Sequence, residues 1–117
     1  MSLYPIFLNI KNSPCLVIGG GEVAERKVLG LIEAKAKVTV ISPGITDELK
    51  KLVKTKKIRH IKRVYKEGDL KGFSLVISAT SSLKVNKEVS KEAKKLKILL
   101  NVVDNPSLCA FIVPAIV

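Results

Sequence analysis

Short apolar runs alternate along the chain with longer stretches in which apolar residues recur every three or four positions. The short runs are typical of buried strands and the longer stretches of helices, so the alternation predicts βαβ units, with a mostly parallel sheet and helices on both faces. The predicted strands are residues 15–19, 37–42, 58–65, 75–79 and 98–103. The predicted helices are residues 22–34, 47–54 and 86–96. The pattern indicates an α/β fold with three layers.

The two ends of the chain carry weaker strand patterns. Residues 4–10 are apolar but contain Pro5, which has no amide hydrogen for a strand ladder, so an edge strand is expected there. Residues 110–117 form an extended apolar run that is broken by Pro114. A chain of 117 residues can bury one hydrophobic core and has no room for a second domain. We expect residues 1–117 to form a single domain.

Composition narrows the classes of partner. The chain has 21 Lys and Arg against 10 Asp and Glu, a net charge of +11, which attracts anionic partners. Aromatic residues are few and Trp is absent, which argues against the stacking surfaces of a nucleic-acid binder. Every apolar run is much shorter than the roughly 20 residues of a membrane span, and the N-terminal run lacks the basic start of a secretory signal. We therefore expect a cytoplasmic protein that binds neither nucleic acid nor a membrane.

Cysteine and histidine are too sparse for a metal site made of protein side chains. Cys15 and Cys109 lie in apolar runs without a C-x-x-C pair, so both are expected to be small buried hydrophobic residues. His60 is the one histidine and stands among basic residues, which favours a place at the surface. The sequence predicts no metal ligands.

The glycine-rich run after the first predicted strand is the sharpest chemical signal. Gly19, Gly20 and Gly21 are followed by Glu22, Val23 and Ala24, which fits the G-x-G-x-x-A fingerprint between a strand and a helix. The first glycine permits a tight turn, and the third lets the backbone approach a pyrophosphate. The start of the helix then offers free amides and a partial positive charge to the phosphates. This context predicts a Rossmann-type domain that binds a nicotinamide dinucleotide, with these residues as cofactor contacts.

Two further strand ends are expected to border the cofactor, because ligands of open α/β sheets lie outside the carboxyl ends of the strands. The second predicted strand ends at Ser42, Pro43 and Gly44, where the usual fingerprint has an acid that binds the adenosine ribose. A serine leaves the choice between NAD and NADP open. Thr80 lies in a small hydroxyl-rich run after the fourth predicted strand, and this run fits either a cofactor wall or an ordinary turn and helix cap.

Asp104 follows the last predicted strand and is the one carboxylate expected at the reactive end of the cofactor. It is therefore a candidate general base. The alternative is that Asp104 and Asn105 only form the turn before Pro106, and the residues alone leave both possibilities open.

The order of these segments resembles the N-terminal part of siroheme synthase, the family of precorrin-2 dehydrogenases and sirohydrochlorin ferrochelatases. The resemblance rests on G-G-G-x-V-A-x-R-K at residues 19–27 and on N-V-V-D at residues 101–104. It extends over nearly the whole chain, with Y-P-I-F-L at residues 4–8 and F-I-V-P-A at residues 111–115. Family members continue into a region that builds the dimer and part of the tetrapyrrole cleft, and we expect that region to lie outside this chain.

The resemblance implies NAD-dependent oxidation of precorrin-2 to sirohydrochlorin and, in bifunctional members, insertion of ferrous iron. It implies that Asp104 is catalytic and that Val102 and Thr80 join the glycine run, Pro43 and Gly44 as cofactor contacts. The tetrapyrrole brings its own nitrogen ligands for iron, and its many carboxylates suit a basic protein. The full-length family is expected to form a homodimer.

Two other classes of function remain open from the residues. A non-catalytic module that senses a nucleotide would keep the glycine run and bind the cofactor whether or not Asp104 is present. A basic nucleic-acid binder would show an affinity that falls steeply with salt. Neither alternative explains an N-V-V-D run at the predicted cleft.

Overall fold

The computed structural model describes residues 2–113, which form a five-stranded sheet between two layers of helix. The strands are β1 (Pro14–Ile18), β2 (Lys37–Ile41), β3 (Ile58–Ile61), β4 (Leu75–Ser78) and β5 (Leu99–Val102). The helices are α1 (Glu22–Glu33), α2 (Asp47–Lys54) and α3 (Leu83–Leu96), and a single 3-10 turn covers Pro106–Leu108. These elements confirm the predicted α/β class.

The sheet has the order β3-β2-β1-β4-β5, and all its neighbouring strands run parallel. The chain first moves outward from β1 to β3 and then crosses back to β4 on the other side of β1. The carboxyl ends of β1 and β4 therefore diverge into loops that lead in opposite directions, which opens a crevice between them. This is the strand order of a Rossmann-type fold and confirms that prediction.

Alternating residues of the strands build one hydrophobic core on each face of the sheet. Cys15 and Val17 of β1 face the layer of α1 and α2, where Val28 and Leu49 are fully buried. Leu16 and its neighbours on the other face pack with α3. That second core contains Ile18, Tyr65, Leu70, Val76, Val89, Ala93, Leu100 and Val102, among others. Both faces of β1 are thus covered, as the consecutive apolar residues of a central parallel strand require.

Several boundaries differ from the sequence prediction. Helix α3 begins at Leu83 instead of residue 86, because the side chain of Ser82 accepts a hydrogen bond from the Val85 amide and caps an earlier turn. Strand β3 ends at Ile61, and the chain then leaves the sheet edge in turns. Helix α2 begins and ends where the pattern placed it.

The prediction of an edge strand at residues 4–10 is wrong. This segment is irregular and its large apolar side chains up to Leu8 are exposed, with Phe7 fully so, while Ile10 packs against the core. An isolated extended segment has no partner backbone for a ladder, and β3 and β5 form the two sheet edges within residues 2–113. Residues 110–113 likewise form no strand, and the rest of the predicted final run, residues 114–117, lies outside the described residues.

The two cysteines differ in how deeply they are buried. Cys15 is fully buried, as expected, whereas Cys109 is half-buried and its thiol donates to the carbonyls of Val102 and Asn105 at 3.2 and 3.3 Å.

No helix within residues 2–113 is long and apolar enough to cross a bilayer.

Candidate cofactor cleft

A cleft of about 850 Å³ opens at the carboxyl ends of β1, β2 and β4. The sequence-predicted cofactor residues that line it are Gly19, Gly20, Gly21, Glu22, Val23, Ser42, Pro43, Gly44 and Thr80. The topology brings together three segments that are far apart in sequence, because the parallel strands β2, β1 and β4 are neighbours and end at the same edge.

The first two glycines of the run are required by contacts within the protein. Gly19 has a φ of +126°, and a Cβ there would approach the carbonyl oxygen of Ala79 to 2.9 Å. A Cβ on Gly20 would overlap the carbonyl oxygen of Gly44, and the Gly20 carbonyl accepts a hydrogen bond from the Thr46 amide at 3.0 Å. These two positions lock the turn after β1 against the ends of β4 and β2.

Gly21 differs from the other two because a Cβ there would meet no protein atom within 4 Å. It is the N-cap of α1, with φ −87° and ψ −166°, and it offers no side-chain acceptor to the first turn of the helix. The space in front of Gly21 belongs to the cleft. Free amides at a helix start, beside open space that a side chain would fill, fit a bound pyrophosphate.

The end of β2 forms a second wall that is held by hydrogen bonds among its own residues. The buried hydroxyl of Ser42 donates to the Gly44 carbonyl at 2.8 Å and lies 3.3 Å from His60 Nε2. His60 Nε2 also lies 2.9 Å from the Ser42 carbonyl. His60 was predicted to lie at the surface; it is half-buried there and supports the loop at Ser42.

Thr46 joins this loop to the glycine turn. Its hydroxyl donates to Glu25 of α1 at 2.6 Å and accepts from the Leu49 amide at the start of α2. One threonine thereby caps α2 and fixes it to α1, so the loop between Ser42 and α2 is held at both ends.

Val64 and Tyr65 form a wall of the cleft that sequence reasoning missed. Both residues lie in the segment that crosses from β3 back to β4. The side chain of Tyr65 is buried in the core against α3, where its hydroxyl donates to Glu92. The sequence offered one signal for this wall, the aromatic Tyr65 at the end of a weak strand pattern. The pattern did not indicate that the chain turns back over the sheet at this point.

Thr80 is positioned by a buried amide of α3. The Asn86 side chain accepts from the hydroxyl of Ser78 at 2.7 Å and donates to the Thr80 carbonyl at 3.1 Å. The end of β4 is thus fixed to the first turns of α3. The Thr80 hydroxyl accepts from the Ser82 amide at 3.2 Å, so the run serves as a turn and also lines the cleft.

Val102 and Asp104 do not line this cleft. Val102 is 1% exposed and its side chain belongs to the core against α3. Asp104 is exposed in a left-handed turn, with φ +61°, a conformation that Asp tolerates better than most residues. Both residues line a separate pocket of about 240 Å³ at the end of β5, which also contains Lys27 of α1.

The cofactor cleft and the pocket at Asp104 lie beside each other along α1. Val23 lines the first and Lys27, one helical turn later, lines the second. The arrangement can hold an anionic dinucleotide in one site and present a carboxylate next to it. Within residues 2–113, His, Cys, Asp and Glu form no cluster of three that could hold a metal ion.

Comparisons with known proteins agree with this geometry. Residues 6–115 match the model of a family described as putative NAD(P)-binding. The chain is 49% identical over 117 residues to a siroheme synthase of Methylobacillus flagellatus, and 45% identical over 117 residues to that of Nitrosomonas europaea. The first alignment covers 100% and the second 99% of this chain, but each covers 25% of the relative. The chain therefore spans about a quarter of the length of these curated relatives.

A solved structure named as the precorrin-2 dehydrogenase SirC has the same fold. It superimposes with a TM-score of 0.84 at 28% identity, over 97% of this chain and 55% of the other. A second structure, the PH0520 protein of Pyrococcus horikoshii, has a TM-score of 0.60 at 16% identity, over 90% of this chain and 32% of the other, and supports the fold alone. The family match confirms the prediction of a nicotinamide dinucleotide cofactor, and the sequence matches confirm the resemblance to siroheme synthases. The chain belongs to the putative NAD(P)-binding family and is a relative of the siroheme synthases.

Proposed function

We propose that this chain is the cofactor-holding part of an NAD-dependent dehydrogenase that oxidises precorrin-2 to sirohydrochlorin. The observation that carries the proposal is the match to SirC, a protein named as a precorrin-2 dehydrogenase, over 97% of this chain. The cleft and the aspartate beside it supply the groups that such a reaction requires. The proposal includes that this chain takes part in the activity for which its longer relatives, the siroheme synthases, are named.

The glycine turn and the start of α1 hold the diphosphate of the cofactor in this proposal. The amides after Gly21 donate to it, and the open space at Gly21 lets it approach. Ser42, Pro43 and Gly44 border the adenosine side, while Thr80 borders the half that extends towards β5. Bound in this way, the cofactor supplies the acceptor for a hydride from the substrate.

Asp104 takes the proton in the proposed reaction. Oxidation of precorrin-2 breaks one C–H bond, whose electron pair leaves with the hydride, and one proton must then leave the macrocycle. The carboxylate of Asp104 accepts this proton and passes it to water. The described residues form two ion pairs, Lys50 with Asp47 and Arg63 with Asp69, so Asp104 is held in neither and is exposed to a substrate.

The charge of the protein suits a substrate that carries many carboxylates. A net charge of +11 produces a positive potential that raises the rate at which an anionic tetrapyrrole arrives. Insertion of ferrous iron and a homodimer stay predictions from the resemblance, and a cytoplasmic location stays a prediction from the hydrophobic pattern of the chain. For iron insertion, the tetrapyrrole nitrogens would be the ligands, and anaerobic mixing of the protein with sirohydrochlorin and ferrous iron tests it by the absorbance of the product.

The deciding experiment mixes the chain with NAD and precorrin-2 without oxygen and follows NADH by absorbance. We compare the intact chain with Asp104→Asn, which keeps the shape of the side chain but loses the base, and expect a rate about 100-fold or more lower. Asp47→Asn, at an exposed aspartate of α2, is the matched control and is expected to keep the rate.

Two results would contradict the proposal. Equal rates for the two aspartate variants would remove Asp104 from the reaction. No NADH from a chain that is folded and binds NAD would reject turnover by this chain, and would favour either a non-catalytic nucleotide sensor or a need for the region that the family resemblance places outside this chain.

A further inference from the structure

Two basic neighbours on α1 differ in their surroundings. Arg26 is exposed, whereas Lys27 is half-buried and lines the pocket at the end of β5 together with Asp104. A half-buried lysine lays its methylene stem against apolar surface and keeps the ammonium at the rim. The ion pairs within residues 2–113 do not include Lys27, so its charge is available to an anion that enters this pocket.

The size of the pocket decides what part of a ligand it can take. Its volume is about 240 Å³, below the roughly 300–1,000 Å³ of pockets that enclose a whole small molecule. A tetrapyrrole macrocycle therefore does not fit inside the pocket, whereas a side arm of it does. The walls suit such an arm, since Ile112 and Val113 offer apolar surface for methylene groups and Lys27 offers a cation at the rim.

The position of the pocket fits the reaction geometry. It lies one helical turn of α1 from the cofactor cleft, because Val23 borders the cleft and Lys27 borders the pocket. It also contains Asp104, whose negative charge would by itself repel a carboxylate arm. A lysine in the same pocket offsets this repulsion and lets the arm bind next to the base.

We propose that Lys27 binds a carboxylate arm of the substrate and so fixes the macrocycle edge between Asp104 and the cofactor. This inference rests on the proposed function, because it assigns a place to one arm of the tetrapyrrole. It makes Lys27 a determinant of substrate affinity that leaves cofactor affinity unchanged, since Lys27 does not border the cofactor cleft.

The test measures the binding of sirohydrochlorin by absorbance titration in the presence of NAD, with NAD binding measured separately. Lys27→Met keeps the stem and removes the charge, and one charge-assisted hydrogen bond lost corresponds to about a tenfold weaker affinity for sirohydrochlorin. Arg26→Met is the matched control because it removes the same charge from the next residue, and it is expected to change the affinity less than about twofold. Lys27→Arg is expected to recover most of the affinity, and NAD binding should be the same in all variants.

The outcomes separate this inference from the proposed function. Equal affinities of Lys27→Met and Arg26→Met for sirohydrochlorin would overturn the role of Lys27 and leave the dehydrogenase proposal standing. Loss of NAD binding in Lys27→Met along with the tetrapyrrole would show a structural role and would also overturn it. Absence of sirohydrochlorin binding by a chain that binds NAD would overturn the role of Lys27, whereas the dehydrogenase proposal is decided by the NADH measurement.

Discussion

The hydroxyl of Tyr65 donates a hydrogen bond to the carboxylate of Glu92, and this contact joins a wall of the cofactor cleft to helix α3. The second oxygen of Glu92 accepts from the Leu70 amide at 3.2 Å. Both side chains are buried. Burial raises the pKa of the Tyr65 phenol, and the hydrogen bond to Glu92 raises it further, so the phenol stays protonated and continues to donate at neutral pH. These hydrogen bonds fix the segment between β3 and β4 to helix α3.

Tyr65→Phe is expected to lower the free energy of unfolding by about 1–3 kcal/mol, because it leaves one oxygen of a buried carboxylate without its donor. Urea denaturation measures the change. Tyr4→Phe removes a hydroxyl from a side chain that is 88% exposed and is expected to have no measurable effect. If the two variants are equally stable, Glu92 does not depend on Tyr65.

Glu92→Gln is expected to lower the free energy of unfolding by about as much as Tyr65→Phe. The amide oxygen can accept from the Leu70 amide while the amide nitrogen donates to the Tyr65 oxygen, but the hydrogen of the Tyr65 hydroxyl then has no acceptor. One buried polar group without a partner corresponds to a loss of about 1–3 kcal/mol in the same urea measurement. A smaller loss would mean that the Tyr65 hydroxyl finds another acceptor when Glu92 is replaced.

The surroundings of Asp69 predict that the free energy of unfolding depends on pH. Burial alone would raise the pKa of its carboxyl, but hydrogen bonds from Arg63 and from the Lys66 amide outweigh burial and hold this pKa below the usual 3.8. A carboxyl whose pKa is lower in the folded chain stabilises the fold fully above the unfolded value and loses this contribution as the pH falls through the folded value. Asp69→Asn should therefore lower the unfolding free energy by about 1 kcal/mol at pH 7.

The stability difference between Asp69→Asn and the intact chain is expected to shrink below pH 3.8, where the intact chain also loses its carboxylate. Urea denaturation across this pH range measures it, with Asp47→Asn as the control because Asp47 is 96% exposed and its lysine lies 3.8 Å away. A difference that stays constant as the pH falls through this range would mean that folding does not lower the pKa of Asp69.

The parts of the fold that follow from local pattern could be predicted from the sequence. The helix at Asp47–Lys54 has an N-cap threonine and acids in its first turn, and both signals lie in adjacent residues. The central strands are consecutive buried residues, which a parallel sheet covered on both faces requires. The glycine fingerprint lies between such a strand and a helix, so the place of the cleft followed from the same pattern.

The parts that depend on contacts distant in sequence could not be predicted. Tyr65 borders the cleft because the crossover after β3 returns over the sheet and is held by Glu92, 27 residues further on. His60 supports Ser42 across two neighbouring strands, 18 residues apart. Residues 4–8 carry an apolar run without forming a strand, since pairing depends on a neighbouring backbone and not on the run itself.

The difference between Gly20 and Gly21 predicts two opposite phenotypes for the same substitution. Gly21→Ala places its methyl group in open space, and its φ of −87° suits any residue, so the unfolding free energy should change by less than about 1 kcal/mol. The same methyl group occupies the space expected for the diphosphate, and NAD affinity should fall tenfold or more, as measured by titration calorimetry. Gly20→Ala would instead drive its methyl group into the carbonyl of Gly44 and lower the unfolding free energy. If Gly21→Ala binds NAD as tightly as the intact chain, the diphosphate does not lie at the start of α1.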